Sequence, residues 1–294
     1  MHAVEGKVAV VTGGANGIGL AMGRHFGGHG MSVMLADIQP GPLDAAVALL
    51  RGEGLDVAGC HTDVTKLASV DHLADETMRA FGAVHVVCNN AGIGPGGQTL
   101  LWDYEESDWR WCLDVNVCGV AWGIKAFVPR MIRGGEEGHI VNTSSGNGGI
   151  APMGDAPIYA MSKSAVTTLT ELLYYQLRTQ NTKVSCSVLY PGPNWLRTKL
   201  WEAWRTRPQE YAKTAARTTA YPSFEEFERQ MEAAGTPLPV TPLEDVAGRV
   251  LDAILEDRFW INPSNDDALD ARYASMKARR NPDYFRNWNP TTNQ

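Results

Sequence analysis

The sequence predicts an α/β fold, a doubly wound parallel sheet of about seven strands forming a single domain. Three observations predict it. Short β-branched runs alternate with helix-length segments along most of the 294-residue chain. Some runs are continuously apolar, such as Val8-Ala9-Val10-Val11, which suits strands buried on both faces of a parallel sheet. The helix-length segments between them supply the crossover connections that parallel neighbours require.

Strands are expected at 7–12, 32–36, 57–60, 84–88, 139–143, 184–189 and 259–261. In the first helical segment Ile18, Ala21, Met22, His25 and Phe26 recur at i, i+3, i+4, i+7 and i+8, one stripe against a sheet. Later, Thr241-Pro242-Leu243-Glu244 reads as an N-cap, a first-turn proline and a capping-box glutamate. It introduces Val246, Ala247, Val250, Leu251, Ile254 and Leu255 on one face. The rhythm breaks from Pro193 to about Thr241, too long for an ordinary strand-to-helix loop, so a helical insertion is expected at 193–241. Within it Ser223-Phe224-Glu225-Glu226 is a second capping box, with Phe224, Phe227 and Met231 on one helical face. The tail, 281–294, carries Tyr284, Phe285 and Trp288 among Asn and Pro, and either docks on a neighbour or frays.

Composition excludes several classes. Lys plus Arg number 26 and Asp plus Glu 33, a formal charge of −7. With one short basic run at 277–280, the chain carries no broad electrostatic footprint for nucleic acid. No apolar stretch approaches bilayer-spanning length, and the first seven residues do not read as a signal peptide, so no membrane partner is expected. Cys60, Cys88, Cys112, Cys118 and Cys186 are scattered, odd in number and without a CxxC pair. They read as small apolar residues in a reducing cytoplasm. The seven histidines show no HxH or HExxH spacing, so no metal is expected.

Thr12-Gly13-Gly14-Ala15-Asn16-Gly17-Ile18-Gly19 follows the first strand and opens the first helix. Glycines let the backbone turn sharply and approach a ligand, and a helix N-terminus offers N–H groups and a positive dipole end to a pyrophosphate. Asp37 ends the second strand, 18 residues after Gly19. A carboxylate there can accept both ribose hydroxyls of an adenosine and repels a 2′-phosphate. No Arg or Lys stands at Ala15, Asn16 or Ile38 to counter such a phosphate, which favours NAD over NADP. Asp37 alone equally suits a turn or a helix cap, and Asp63, ahead of Val64, equally suits a cap near Lys66.

Tyr159-Ala160-Met161-Ser162-Lys163 sets a phenol and an ammonium at i and i+4, on one side of a helix. A fixed cation lowers a phenol's pKa from about 10, and such a tyrosine can shuttle a proton to or from an alcohol oxygen. Taken alone the pair is also what a solvated helix face looks like. Its setting is richer. Asn89-Asn90-Ala91-Gly92 ends the fourth strand, Asn116 lies in the next long helix, and Asn142-Thr143-Ser144-Ser145 ends the fifth strand.

With these motifs in order, the chain resembles the classical short-chain dehydrogenase/reductase family over about residues 5–200. The shared motifs are TGGANGIG at 12–19, Asp63-Val64, NNAG at 89–92, Asn116, Ser145, YAMSK at 159–163 and Pro191-Gly192. The resemblance implies a Rossmann-like fold and an NAD-dependent enzyme interconverting a secondary alcohol and its ketone. It also implies a catalytic tetrad of Asn116, Ser145, Tyr159 and Lys163. Tyr159 would be the general acid/base and Ser145 would place the substrate oxygen. Lys163 would bind the nicotinamide ribose and lower the Tyr159 pKa, and Asn116 would hold a water on the proton exit. Cofactor contacts are implied for Gly13, Asn16, Gly17, Ile18, Gly19, Asp37, Asp63, Val64, Asn90, Tyr159, Lys163, Pro191, Gly192 and Thr198.

Two departures from the family stand out. The step from Ser145 to Tyr159 is one residue longer than usual, with Gly146, Gly148 and Gly149 available to absorb it. Asn194 to Arg197 intervene between Gly192 and Thr198, further than the family's usual threonine. Ser144 competes with Ser145 for the serine position, and Asn116 alone would also suit a helix interruption.

Substrate choice is expected in the insertion, where Trp195, Trp201, Trp204, Tyr211, Tyr221, Phe224 and Phe227 would form a lid over a bulky aromatic or alicyclic alcohol. Trp195, Trp201 and Trp204, with Ser145 and Tyr159, are the substrate candidates; packing of the insertion on the sheet is the competing use of the aromatics. Residues 127–132 and 138–141 are similar to bacterial dehydrogenases of bulky substrates, including aryl alcohols of lignin breakdown. The resemblance further implies a homotetramer, or a dimer, through the segments 105–132 and 157–179. An NADPH-dependent ketone reductase and a catalytically idle dinucleotide-binding scaffold are the alternatives.

Overall fold

A computed structural model describes residues 1–94, 100–154, 156–214 and 222–262, with Asp270 and Ala274 beyond them. Tyr221, the basic run 277–280 and the tail 281–294 with Tyr284, Phe285 and Trp288 lie outside the described residues. Seven parallel strands form one sheet: β1 (Val8–Thr12), β2 (Ser32–Asp37), β3 (Val57–His61), β4 (Val86–Asn89), β5 (Gly138–Thr143), β6 (Val184–Leu189) and β7 (Trp260–Ile261). Their order is β3-β2-β1-β4-β5-β6-β7, so the order reverses between β1 and β4. Strand bounds fall within two residues of the expected ones.

The crossovers are α1 (Gly17–Gly28), α2 (Pro40–Gly52), α3 (Leu67–Phe81), α4 (Glu106–Leu113), α5 (Gly119–Gly134) and α6 (Pro157–Thr179). α7 (Phe224–Ala233) and α8 (Leu243–Glu256) follow β6. Side chains alternate across a strand, and β1 displays the consequence. Ala9 and Val11 pack with Met22 and Phe26 of α1 and with Val250 of α8. Val10 packs on the opposite face with Leu73 of α3, Phe127 of α5 and Leu173 of α6. A strand with a core on each face must be apolar throughout, which is why Val8–Val11 has no polar position.

The two capping boxes read from the sequence differ in outcome. Ser223 Oγ accepts from Glu226 N at 3.2 Å and caps α7. The capping box expected at 241–244 does not form. Pro242 is the N-cap of α8, with an extended ψ of 137° and no side-chain cap bond. Thr241 Oγ1 instead accepts from Asn194 N at 3.3 Å, tying the end of the insertion to its beginning. On α8 the expected stripe holds except at its last member. Leu255 is exposed, and Ala253 takes the buried place.

One further expectation needs correcting. α4, a π turn at Asp114–Cys118 and α5 run on as one helix from Glu106 to Gly134. By length and composition that helix is apolar enough to cross a bilayer, although 56% of its apolar window is buried within this fold. Its apolar side packs against α3, α6 and the sheet.

The described part of the insertion is helical: a 3-10 segment at Lys199–Thr206, a 3-10 turn at Gln209–Tyr211, and α7. Its two ends meet through Trp195 N donating to Pro239 O and Thr241 N donating to Trp195 O.

Candidate active site

A cavity of about 1460 Å³ opens at the carboxyl ends of the strands, where the strand order reverses. Open α/β sheets bind ligands at such switch points. Pockets for a single small ligand run to roughly 1,000 Å³, so this one has room for a dinucleotide and a second molecule. Gly13, Asn16, Gly17, Ile18, Asp37, Asp63, Val64, Asn90, Ser145, Tyr159, Lys163, Pro191, Gly192 and Thr198 all line it, as do Trp195, Trp201 and Trp204. Of the expected site residues, Gly19 and Asn116 stand behind its wall.

The glycine turn is braced from the fourth strand. Thr12 Oγ1 accepts from Asn90 N at 2.9 Å and Ala91 N at 3.1 Å, while Asn90 Nδ2 donates to Thr12 O at 3.0 Å. A Cβ on Gly19 would fall 2.1 Å from Gly13 O, so only glycine lets the turn fold onto the first residues of α1. Asn16 is the N-cap of α1, extended at φ −159°, and its side chain makes no cap bond. The first N–H groups of α1 thus stand at the cavity, an anion-binding arrangement. These residues fit a dinucleotide.

At the far end Asp37 is buried, its Oδ2 accepting from Ala15 N at 3.2 Å and its Oδ1 from Gln39 N at 3.0 Å. Burial raises its pKa and these backbone bonds oppose the rise. Each oxygen keeps a further lone pair for a ligand hydroxyl. Asp63 does two things at once: it lines the cavity, and its Oδ1 accepts from Thr65 N at 2.9 Å and Thr65 Oγ1 at 2.7 Å in a local turn before α3.

At the other end Pro157 starts α6, and one turn on Tyr159 and Lys163 project from the same side. Tyr159 keeps part of its surface open to the cavity, whereas Lys163 is buried. Ser145 stands close enough to Tyr159 for its hydroxyl to favour the phenolate, and both line the cavity. Lys163 Nζ donates to Thr143 O at 2.8 Å and lies 5.6 Å from the Tyr159 ring centroid. Ser144 is turned away: its Oγ donates to Lys163 O at 2.8 Å and meets Thr167 Oγ1 at 2.9 Å. Ser145, not Ser144, is therefore the serine beside Tyr159. Between Ser145 and Tyr159, Gly146–Ile150 form an irregular turn in which Asn147 and Gly148 leave helical geometry.

Asn116 sits in the π turn between α4 and α5 and is fully buried. Its Oδ1 accepts from Ile93 N at 2.8 Å, and its Nδ2 donates to Ile93 O and to Ser162 Oγ, both at 2.9 Å. The side chain thus binds the loop after β4 to α6.

Electrostatics depart from expectation. Burial pushes the Tyr159 phenol up to about 12, and the Ser145 hydroxyl only moderates this. Burial also pulls Lys163 down to about 8. Desolvation thus sets the direction of the Tyr159 shift, opposite to the lowering expected from Lys163.

Thr198, four residues further from Gly192 than Asn194, nevertheless arrives at the glycine turn, its Cβ 3.4 Å from where a Gly17 Cβ would stand. Its Oγ1 accepts from Leu200 N at 3.4 Å, capping the 3-10 segment. The aromatics divide by role. Trp195 and Trp201 pack against each other and against Phe224 and Phe227, in tilted, edge-on and stacked pairs, at centroid distances of 5.0–5.8 Å, so they pack the insertion while also lining the cavity. Tyr211 is buried, its hydroxyl donating to Asp114 Oδ2 at 2.8 Å, away from the cavity lining.

Sequence reasoning missed several participants. Tyr104, Trp111, Val115 and Ile93 form a wall of the cavity from the α4 side; the two tryptophans of Trp109-Arg110-Trp111 were the available signal. Arg249 of α8 donates from Nη2 to Pro191 O at 2.8 Å and Gly192 O at 2.9 Å, pinning that loop. No local signal marked it.

A protein-family model described as short chain dehydrogenase matches residues 7–209. The crystal structure of a short chain dehydrogenase/reductase from Burkholderia phymatum in complex with NAD superposes with a TM-score of 0.84 at 38% identity, covering 96% of this chain and 98% of that one. The 1-deoxy-11-beta-hydroxypentalenate dehydrogenase of Streptomyces exfoliatus is 35% identical over 91% of this chain and 86% of its own. The C alpha-dehydrogenase of a Sphingobium species is 34% identical over 72% of this chain and 67% of its own.

Proposed function

This chain belongs to the short-chain dehydrogenase family, and from that premise we propose that it is an NAD-dependent oxidoreductase interconverting a bulky aromatic or alicyclic secondary alcohol and its ketone. Membership makes it an NAD(P)-dependent enzyme of the alcohol dehydrogenase kind. The observation that carries the finer reading is convergence: Ser145, Tyr159 and Lys163 meet at one end of a cavity whose other end holds the glycine turn and Asp37.

Bound nicotinamide supplies the hydride chemistry. Ser145 and Tyr159, side by side in the cavity lining, present two hydroxyls to one substrate oxygen and so orient it. Tyr159 is the general acid/base. Burial keeps its phenol protonated, which suits donation to a ketone oxygen. Deprotonating an alcohol requires the Lys163 charge to offset that burial. Lys163, held by Thr143 O, would bind the nicotinamide ribose. Asn116 serves the proton exit. A Cβ on Gly92 would lie 3.3 Å from Lys163 Nζ and 3.4 Å from Asn116 Oδ1, so glycine there leaves space between the two groups for a water.

Asp37 supports NAD over NADP, since its neighbours in the cavity lining are Ile38, Gln39 and Pro42, with no Lys or Arg beside it among the described residues to meet a 2′-phosphate. The aromatic lining and the relative named for a hydroxypentalenate support a bulky, largely apolar substrate. The chain reads as one domain with 193–241 as substrate loop. Met161, Leu172 and Tyr175 stand 39%, 58% and 67% exposed along α6, which supports pairing of α6 in a homotetramer, a homodimer being the alternative. Five free cysteines fit a cytoplasmic location.

The test is a panel of aryl, terpenoid and steroid secondary alcohols assayed with NAD and NADP through absorbance of the reduced coenzyme. Turnover of bulky members with a lower KM for NAD is expected. Coenzyme binding without any turnover would favour the scaffold alternative, and clear NADP preference would overturn the Asp37 reading.

A further inference from the structure

The insertion is fastened to the rest of the molecule by charge as well as by aromatic packing, and the fastening lies behind the cavity wall. Asp108 of α4 is fully buried, and two cations from the insertion reach it: Arg207 Nη1 at 2.6 Å and Lys213 Nζ at 2.9 Å. Arg207 itself is only 9% exposed. It also donates from Nη2 to Ser107 Oγ at 3.1 Å, so its planar fork is held against one turn of α4.

That guanidinium lies 4.8 Å above the indole of Trp111, and Trp111 is a buried member of the cavity wall. On its other side in sequence, Arg207 follows Thr206, the last residue of the 3-10 segment Lys199–Thr206, which also lines the cavity. One side chain thus touches a wall of the substrate end and anchors the segment that closes over it. A desolvated cation on an aromatic face is among the stronger contacts of its kind, and a buried carboxylate fixes where that cation sits.

We propose that Arg207 is a specificity-determining positioning residue: locked onto Asp108, it holds the Trp111 indole and the Lys199–Thr206 segment at the spacing that grips a flat, bulky alcohol or ketone. This rests on the alcohol dehydrogenase reading above. The small-substrate chemistry at Ser145, Tyr159 and Lys163 does not depend on it, because none of those residues touches the Asp108 cluster. Lys213 supplies the second cation, so loss of Arg207 alone does not leave Asp108 buried without a partner.

The experiment compares R207M and R207K with the unaltered protein in three measurements. These are the Kd for 2-acetylnaphthalene by equilibrium dialysis in the presence of NAD, the Kd for NAD by calorimetry, and kcat and KM for 1-(2-naphthyl)ethanol and 2-propanol. R207M should weaken the aryl ketone at least tenfold and raise KM for the naphthyl alcohol similarly. NAD affinity should stay within twofold and the small alcohol within threefold, and R207K should recover part of the loss. If R207M does not fold, R207K carries the same comparison with at least a threefold effect expected. Equal losses for large and small ligands, a parallel fall in NAD affinity, an unchanged aryl ketone Kd, or no aryl ketone binding by the unaltered protein would each overturn the proposal. Turnover of neither alcohol by the unaltered protein, with aryl ketone binding still sensitive to R207M, would fault the catalytic reading and leave the positioning role standing.

Discussion

Gly148 lies so close to Ala160 that a Cβ on it would fall 1.9 Å from the Ala160 carbonyl oxygen, and its φ is +96°. The loop carrying Ser145 is therefore seated directly on the first turn of α6, between Tyr159 and Lys163. Both the steric gap and the backbone angle demand glycine there.

Replacing Gly148 by alanine should consequently separate Ser145 from Tyr159. The backbone angle alone costs on the order of 1–3 kcal/mol for a side-chain-bearing residue, and the contact with Ala160 adds to it. G148A is expected to lose at least tenfold in kcat while NAD affinity, set at the other end of the cavity, stays within threefold. Steady-state kinetics beside calorimetric NAD binding checks this; unchanged kcat would mean that the loop does not position Ser145.

Coenzyme choice should respond to Asp37. D37N removes the negative charge while keeping an oxygen to accept from Ala15 N or Gln39 N. The ratio of kcat/KM for NADP over NAD is expected to rise at least tenfold, about 1.4 kcal/mol. Competition kinetics with both coenzymes measures it, and a ratio that does not move would remove Asp37 from cofactor discrimination.

Lys163 should leave a signature in stability against pH. Burial pulls its pKa from 10.5 down to about 8, so between those values the unfolded chain binds a proton that the folded chain has released. Stability contributed by this residue therefore rises with pH across that window, and below pH 8 its full desolvation cost is present. Between pH 8 and 10 the gain is on the order of 2 kcal/mol. Tyr159, raised to about 12, works in the opposite sense only above pH 10. Urea unfolding at pH 8, 9 and 10 should show the rise in the unaltered protein and a flatter profile in K163M; identical profiles would contradict a buried, depressed Lys163.

What the sequence made legible was what it encodes locally. The apolar run 8–11 betrays a strand with a core on both faces, because alternate residues of β1 enter different clusters. Glycine turn, Asp37, Ser145 and the Tyr159–Lys163 pair each sit at a strand end or helix start, and the parallel sheet gathers those ends at one edge. Properties set by distant partners were not legible. Arg207 and Asp108 are 99 residues apart, and Arg249 reaches Gly192 across 57. The capping box at Thr241 failed because a distant N–H, that of Asn194, claimed the threonine hydroxyl. The direction of the Tyr159 shift depends on how deeply α6 is buried, which a YxxxK spacing does not record.

The central claim is that the Tyr159 hydroxyl, brought beside Ser145 and Lys163, carries the proton. Y159F keeps the ring and its packing and removes that oxygen alone. With NAD and the best alcohol of the panel, the variant should bind coenzyme with unchanged Kd and lose turnover by at least a thousandfold. Turnover within tenfold of the unaltered enzyme, at equal coenzyme affinity, would mean that another group moves the proton and that the site works differently from the account given for it.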